Sequence, residues 1–347
     1  MNQKPRVLIV GCGGIGGVIA GRLAAAGQTD LCVMSSNVAI AEAVQAHGLR
    51  LTGTDGELTA KLQIFTDVPS GSFDFILLAT QPTQVEDAAA QCIDALCDTG
   101  ALVVLQNGLC ESRIAALCGI DRVLGGIVTF GASSSSPGHV ERTSKGGMVI
   151  GRLDGVEDAR VTTLAELLAP VGPISQTKNL IGARFSKLAL NCAVSGLGTV
   201  AGVPLGTLLS DPVARNLALA VMREAVAVSR AEDIDLEPIS GTFDLNWLAS
   251  PEAVWSGPHH WTRHAMLLAV GFKYRKLRSS MLRAIERGRP PAVDFLNGEV
   301  VSRGQAHQIP TPINSGVTDI VHKIATGELS PSPEHLQSLQ ALHTHHA

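Results

Sequence analysis

A chain of 347 residues is long for one hydrophobic core, so its length predicts two domains. Its 45% hydrophobic and 17% charged residues are the make-up of a soluble globular protein, while a net charge of −4 and only 3% aromatics speak against nucleic-acid partners. Seven cysteines without a C-x-x-C pair fit a reducing compartment and neither a disulfide framework nor a zinc site. No apolar run reaches membrane-spanning length, and "MNQKPR" leads straight into a strand-like run. The expectation is a cytoplasmic protein with no signal peptide and no membrane partner.

In chain order, "RVLIV" at 6–10 reads as a strand buried on both faces, and "GGVIAGRLAAAG" as an alanine-rich helix closed by Gly27. "DLCVM" at 30–34, "FDFILLAT" at 73–80 and "ALVVLQNG" at 101–108 read as further strands, with a helix over 82–97. "RVLGGIVTFGAS" and "GGMVIGR" add more. Alternating strands and helices predict a parallel sheet covered by helices on both faces. Prolines and glycines cluster at 167–179, after which the pattern is helical: 180–200, about 212–232, 260–286, 291–307 and a start at 310–312. The prediction is an α/β fold: an N-terminal Rossmann-like dinucleotide-binding domain over 1–178, an all-helical domain over 179–330, and a weakly packed polar tail over 331–347.

"VLIVGCGGIGG" sets Gly11, Gly13 and Gly16 as G-x-G-x-x-G between a strand and a helix. The first glycine makes the tight turn, the second admits a pyrophosphate close to the backbone, and the third lets helix and strand pack closely. The pyrophosphate then meets the helix N-terminus. Gly11, Cys12, Gly13, Gly14, Ile15 and Gly16 are therefore the predicted cofactor loop, with Cys12 a small filler. A ribose-binding acid is expected after the second strand, but "SSN" at 35–37 holds neither an acid nor an arginine. Ser35, Ser36 and Asn37 are expected to donate hydrogen bonds to a 2′-phosphate, which leans towards NADP, with NAD possible.

"ARFSKLALNCAVSG" at 183–196 is apolar except for Arg184, Lys187, Asn191 and Ser195 (and Ser186 beside them). At about 100° per residue those four line one stripe of a helix. A buried ammonium without a partner is costly, so the stripe must face something wet, paired or reactive.

The glycine loop, "LQNG" at 105–108, "PGHVERTSKGGMVIG" at 137–151, "KLALNC", "RSSML" at 278–282 and "DFLNGEVVSRGQAHQIPTPIN" at 294–314 occur in one order. Together this pattern resembles the ketopantoate reductase (2-dehydropantoate 2-reductase) family, nearly end to end. The resemblance implies that Lys187 is the catalytic general acid towards the oxygen of a 2-oxo acid, with Asn107 beside the nicotinamide and the reacting carbonyl. It implies that Asn191 and Ser280 bind substrate, with Ser195 standing where the family has a second asparagine of the stripe. It places Ser36 and Gln81 in the cofactor site, where an arginine and a lysine are usual. Ala292, in "PPAVDF", stands where the family carries a glutamate, and Asp294 lies about 200° further round the helix. The implied reaction is nicotinamide-dependent reduction of 2-dehydropantoate to pantoate, in pantothenate biosynthesis. The alternatives are a related reductase acting on a bulkier oxo acid or imine, and a non-catalytic NAD(P)-binding regulatory protein. A homodimer is a further possibility.

The segment 243–274 holds Trp247, Trp255, Trp261 and Tyr274, all the tryptophans and the only tyrosine. It reads equally as a surface or dimer insertion and as an aromatic wall of the pocket. His260 and His264 have i, i+4 spacing but no acidic neighbour, so no metal is expected. The basic run from Lys273 to Arg289 reads as a solvated face. Burial in the apolar helix is expected to lower the affinity of Lys187 for its proton and make it a better acid.

Overall fold

The computed structural model describes residues 4–239, 243–250 and 258–346. The chain forms two compact units, one ending at Leu180 and the other running from Ile181.

The first unit contains strands β1 (Arg6–Val10), β2 (Asp30–Met34), β3 (Leu49–Gly53), β4 (Leu58–Ala60), β5 (Gln63–Phe65), β6 (Phe73–Leu78), β7 (Leu96–Val104), β8 (Val123–Val128), β9 (Ala132–Ser136), β10 (His139–Arg142), β11 (Met148–Gly151) and β12 (Ile174–Thr177). Its helices are α1 (Gly14–Ala26), α2 (Val38–His47), α3 (Val85–Cys92), α4 (Glu111–Cys118) and α5 (Ala159–Leu168). Eight strands form the main sheet in the order β12-β11-β8-β7-β6-β1-β2-β5, and four form a second sheet, β4-β3-β10-β9. The expected all-parallel sheet is corrected at one edge. From β5 to β8 every pairing is parallel, but β11 runs antiparallel to β8 and carries β12 with it. The reason lies in the connection. Parallel neighbours need a crossover, whereas the antiparallel pair β9–β10 leads the chain out and back to the same edge.

The continuous apolar runs read from the sequence do form the buried centre: Val7–Val10, Phe75–Leu78, Ala101–Val104 and all six residues of β8 are closed to solvent. Helix α1 lies between the two sheets. A Cβ at Gly16 would collide with the Gly11 carbonyl oxygen, on the main-sheet side. On its other face, a Cβ at Gly14, Gly17 or Gly21 would run into Ala132, Val140 or Leu51.

The second unit is helical. Helix α6 (Leu180–Asn191) runs through a π-turn (Cys192–Gly196) into α7 (Leu197–Ala201). It is followed by α8 (Leu205–Ser210), α9 (Pro212–Ala231), α10 (Leu245–Leu248), α11 (Pro258–Lys273), α12 (Ser280–Glu286), α13 (Asn297–Ala306), α14 (Pro312–Ala325) and α15 (His335–His346). Helix α9 is the axis, with twelve of its residues buried. The single helix expected over 260–286 is two. It breaks after Lys273 because the Arg275 and Leu277 carbonyls turn aside to accept the N–H groups of Gly206 and Leu205 at 3.3 and 2.8 Å, at the start of α8. The tail is corrected too: rather than a weakly packed end it carries α15, which buries Leu336 and Leu339 and packs on α9 and α14.

Leu339 is 1% exposed. Leu339→Ala is expected to lower unfolding free energy by about 2–5 kcal/mol in urea titrations, as core truncations do. A solvated tail would show a change within about 0.5 kcal/mol.

Candidate active site

The order of the main sheet reverses between β1 and β6, and the carboxyl ends of β1, β6 and β7 stand side by side there. Open α/β sheets bind ligands at such a point. Gly11 follows β1 with φ +104°, a conformation that favours glycine, and its N–H is tied to the Met34 carbonyl at 2.8 Å. Helix α1 starts at Gly14 with no acidic residue in its first turn and no side-chain cap on Gly13. Its leading N–H groups and positive dipole end are thus left for an anion. A Cβ at Gly13 would meet nothing within 4 Å, so the loop holds open the space a diphosphate needs. The residues present fit a dinucleotide.

Within that loop Cys12 is 3% exposed, and burial pushes its thiol up to about 12. It is a packed neutral thiol, and Ile15 packs half-buried on the core beside it. After β2, two of the three expected donors are committed elsewhere. Ser35 is buried with its N–H on the Phe65 carbonyl, and the Asn37 side chain caps α2 by accepting the Ile40 N–H at 3.2 Å. Ser36 is left exposed. Gln81 is also exposed, where the chain leaves β6.

Asn107 projects, exposed, just beyond β7, and its neighbour Gln106 explains how it is held. Gln106 is buried and its Nε2 donates to the carbonyls of Leu78 at 3.0 Å and Thr80 at 3.2 Å, and to Thr80 Oγ1 at 3.3 Å. That clamp joins the carboxyl ends of β6 and β7. Arg142 plays a comparable part below the loop. It is 6% exposed, lies over the Phe130 ring at 4.5 Å, pairs with Asp55, and donates to the carbonyls of Val171 at 2.8 Å and Gly146 at 2.6 Å.

In the second unit Lys187 and Asn191 are half-buried while Phe185, Ser186, Leu188, Ala189 and Cys192 around them are closed off. The stripe is shorter than its spacing suggests. Arg184 is 1% exposed, and Ser195 at 9% sits in the π-turn, so the open portion is Lys187 and Asn191. Asn191 Nδ2 is buried without a hydrogen-bond partner, a donor that a ligand oxygen would satisfy. Ser280, exposed, is the first residue of α12, behind the buried Ser279 that caps that helix through the Leu282 N–H at 3.3 Å. Ala292 is half-buried, and Asp294, 61% exposed, is paired with His322 at 2.9 Å.

Glu224 on α9 escaped the sequence reading. Both its oxygens serve the start of α14, accepting the N–H groups of Ile313 at 2.8 Å and Asn314 at 2.9 Å. Burial pushes its carboxyl up to about 7, although those N–H groups pull it down. A polar residue inside an amphipathic helix is the only mark such a group leaves in a sequence.

His264 Nδ1 accepts from Arg215 Nε at 3.0 Å, and burial, then His260 and Arg215, push the imidazole down to about 4. Its lone pair is thereby used within the fold. Trp247 is stacked under Arg263 at 5.5 Å, while Trp261 is 76% exposed and Trp255 lies outside the described residues. In the basic run Arg278 pairs with Glu286 at 2.6 Å on the surface. No helix among the described residues is long and apolar enough to cross a membrane.

A dinucleotide cradle at the switch point of an α/β unit, followed by a helical unit, fits a two-unit NAD(P)-dependent oxidoreductase. Comparison with known proteins gives the family. The model of ketopantoate reductase PanE/ApbA matches residues 7–155, and that of the ketopantoate reductase PanE/ApbA C terminal matches residues 179–325. The chain therefore belongs to the ketopantoate reductase family. It is 27% identical to the 2-dehydropantoate 2-reductase of Pyrococcus horikoshii over 313 residues, 89% of this chain and 94% of that one. Among solved structures, a PanE/ApbA family ketopantoate reductase from Ralstonia eutropha JMP134 superposes with a TM-score of 0.78 at 26% identity, covering 93% of this chain and 99% of that one. A D-mandelate dehydrogenase solved with NADH and anilino(oxo)acetate shares the fold with a TM-score of 0.78 at 20% identity, covering 96% and 99%.

Two glycines of the loop are expected to respond differently. Gly16→Ala drives a methyl into the Gly11 carbonyl, so a lower melting temperature and loss of cofactor binding are expected. Gly13→Ala, at φ −81° and facing open space, is expected to melt like the wild type yet bind NADPH at least ~10-fold more weakly in fluorescence titration. For Glu224 the native carboxyl holds its proton between its ordinary value of 4.5 and about 7, where the unfolded chain has lost it. Stability is thus expected to fall as pH rises through that window, by roughly 3 kcal/mol for this group. Denaturant titrations from pH 4.5 to 7.5 are expected to show that decline in the wild type and a flatter profile in Glu224→Gln.

Proposed function

We propose that the protein reduces the keto group of a 2-oxo acid, as a 2-dehydropantoate 2-reductase does, with Lys187 as the proton donor. The observation that carries this reading is that the polar residues Lys187 and Asn191 stand half-open on one stripe of a largely buried helix, in a chain of the ketopantoate reductase family. Gly11–Gly16 would hold the diphosphate of a dinucleotide, whose reduced nicotinamide would supply the hydride. Negative charge then grows on the carbonyl oxygen, and a donor aimed at it stabilises the transition state more than the ground state. The Lys187 ammonium provides that charge and transfers a proton from Nζ to the oxygen. Asn107 and the unpartnered Nδ2 of Asn191 orient the carbonyl. Ser280 holds the carboxylate of the substrate, and Ser195, nearly closed to solvent, shapes the turn behind Asn191.

Ser36 neither repels a 2′-phosphate, as a carboxylate would, nor pairs with it as an arginine would. The same holds for Gln81. NADP(H) is the proposed cofactor, with NADH accepted. One observation favours a second reading on substrate. Ala292 offers no carboxylate and Asp294 is already paired with His322, so a larger oxo acid takes the space and the polar contacts that a glutamate would occupy.

Lys187→Ala is expected to lower kcat at least ~100-fold, the scale of general acid catalysis, with NADPH affinity retained. Loss of nicotinamide absorbance over a panel of oxo acids and imines, with each cofactor, checks both substrate and mechanism. Wild-type turnover in Lys187→Ala would defeat the assignment, and tight cofactor binding without oxidation by any substrate would favour a regulatory protein.

A further inference from the structure

The helix that carries Lys187 and Asn191 runs directly into the π-turn Cys192–Gly196. A π-turn departs from the α-type ladder, and the carbonyls it displaces need other donors when they are buried. Two of them are met by side chains. The Ser195 carbonyl accepts from Thr199 Oγ1 at 2.8 Å and from Ser279 Oγ at 2.9 Å. The Cys192 carbonyl, next in the chain to Asn191, accepts from Asn297 Nδ2 at 3.4 Å. Gly196 makes room for that amide, since a Cβ there would lie 2.7 Å from Asn297 Oδ1.

Asn297 leads further inward. It is fully buried, and the same Nδ2 donates to Asn314 Oδ1 at 2.9 Å. Asn314, also fully buried, donates its own Nδ2 to the Val221 carbonyl at 3.1 Å and to Glu224 Oε2 at 2.7 Å. The sense of every bond follows from its end. The Val221 carbonyl only accepts and Glu224 takes backbone N–H groups on both its oxygens, so Asn314 must turn its NH2 towards them and its oxygen towards Asn297. Asn297 must then present its NH2 to Asn314 and to Cys192. Were either amide to turn over, an oxygen would face the Cys192 carbonyl or the Glu224 carboxylate.

We propose that Glu224 is a positioning residue for Lys187 and Asn191: through Asn314 and Asn297 it dictates which amide group meets the π-turn, and so fixes the turn and the phase of the helix face that carries the proton donor. The proposal rests on Lys187 as proton donor, and it adds the relay that holds it.

The test uses steady-state kinetics of the full-length protein with NADPH. Glu224→Gln and Asn314→Asp each break the sense of the relay, and each is expected to lower kcat by about 10- to 100-fold, the cost of a small misplacement, while KM for NADPH stays within about 2-fold. The double variant Glu224→Gln/Asn314→Asp completes a cycle, because residues that act through one relay do not lose activity independently. Its kcat is expected to fall no further than that of the weaker single variant, a coupling that separate structural damage would not produce. Asn297→Ala, which spares the Glu224–Asn314 pair, covers the case in which the carboxylate variants fail to fold, and the same loss of kcat is expected. Wild-type kcat in Asn297→Ala, or single-variant losses that multiply in a folded double variant, overturns the proposal. Lys187→Ala run alongside separates the two readings. If it turns over normally, the proton-donor assignment fails; if it is inactive while Asn297→Ala and Glu224→Gln are not, only the relay fails.

Discussion

The architecture of the first unit depends on a helix with too few side chains to keep two sheets apart. Helix α1 has glycine at 14, 16, 17 and 21, and these divide by direction. Gly16 faces the Gly11 carbonyl at the end of β1, while Gly14, Gly17 and Gly21 follow one another along the face towards β9, β10 and β3. Glycine inside a helix costs about 1 kcal/mol relative to alanine. Four such positions are a poor choice for a free helix and the right one for a helix clasped on both sides. The same closeness brings its N-terminus level with the ends of β1 and β6, where its leading N–H groups are left for an anion.

Buried polar groups do the corresponding work in the second unit. Isolated in a core, the amides of Asn297 and Asn314 would each cost some kcal/mol, but with partners they select one arrangement from many. Leucines packed round α9 tolerate small rotations; a carbonyl that must meet one particular N–H does not. A π-turn is a local defect that needs such capture, and its place one residue beyond Asn191 ties the defect to the face that carries Lys187 and Asn191. Gln106 applies the same rule in the first unit, where one buried amide joins two strand ends beside the exposed Asn107.

What the sequence disclosed follows range along the chain. The glycine loop and the Lys187–Asn191 spacing were legible because turn geometry and helical phase are set within a few residues. Gln106, Arg142 and Glu224 were not, since each acts on partners distant in sequence: Glu224 meets residues 89 and 90 positions away. Parallel pairing was inferred from alternation alone, which does not register that β9 and β10 replace a crossover helix. The tail misled through composition. "GELSPSPEHLQSLQALHTHHA" is polar on average, yet Leu336 and Leu339 within it are one turn apart and both buried. The committed state of Asn37 was hidden for another reason: the same side chain that can donate to a phosphate is a strong helix cap, and only geometry distinguishes the two.

Reaction and substrate are specified by physically different means. The cofactor loop is set by steric exclusion, since at Gly16 even one methyl group collides with backbone, so drift there is blocked by packing. The proposed proton donor sits on a largely buried helix whose next turn is pinned by named hydrogen bonds. In contrast Ser36, Gln81 and Ser280 are exposed and Ala292 is half-buried, so their side chains can change at little cost in stability. Surface positions of this kind are where a scaffold alters what it accepts while keeping what it does. Substituting alanine for a carboxylate at 292 removes a desolvation cost together with an anchor, and it leaves volume where a charge would stand. On the function proposed above, a site so altered would gain from a substrate that brings apolar bulk to that position, with Lys187 and Asn191 still addressing the carbonyl oxygen.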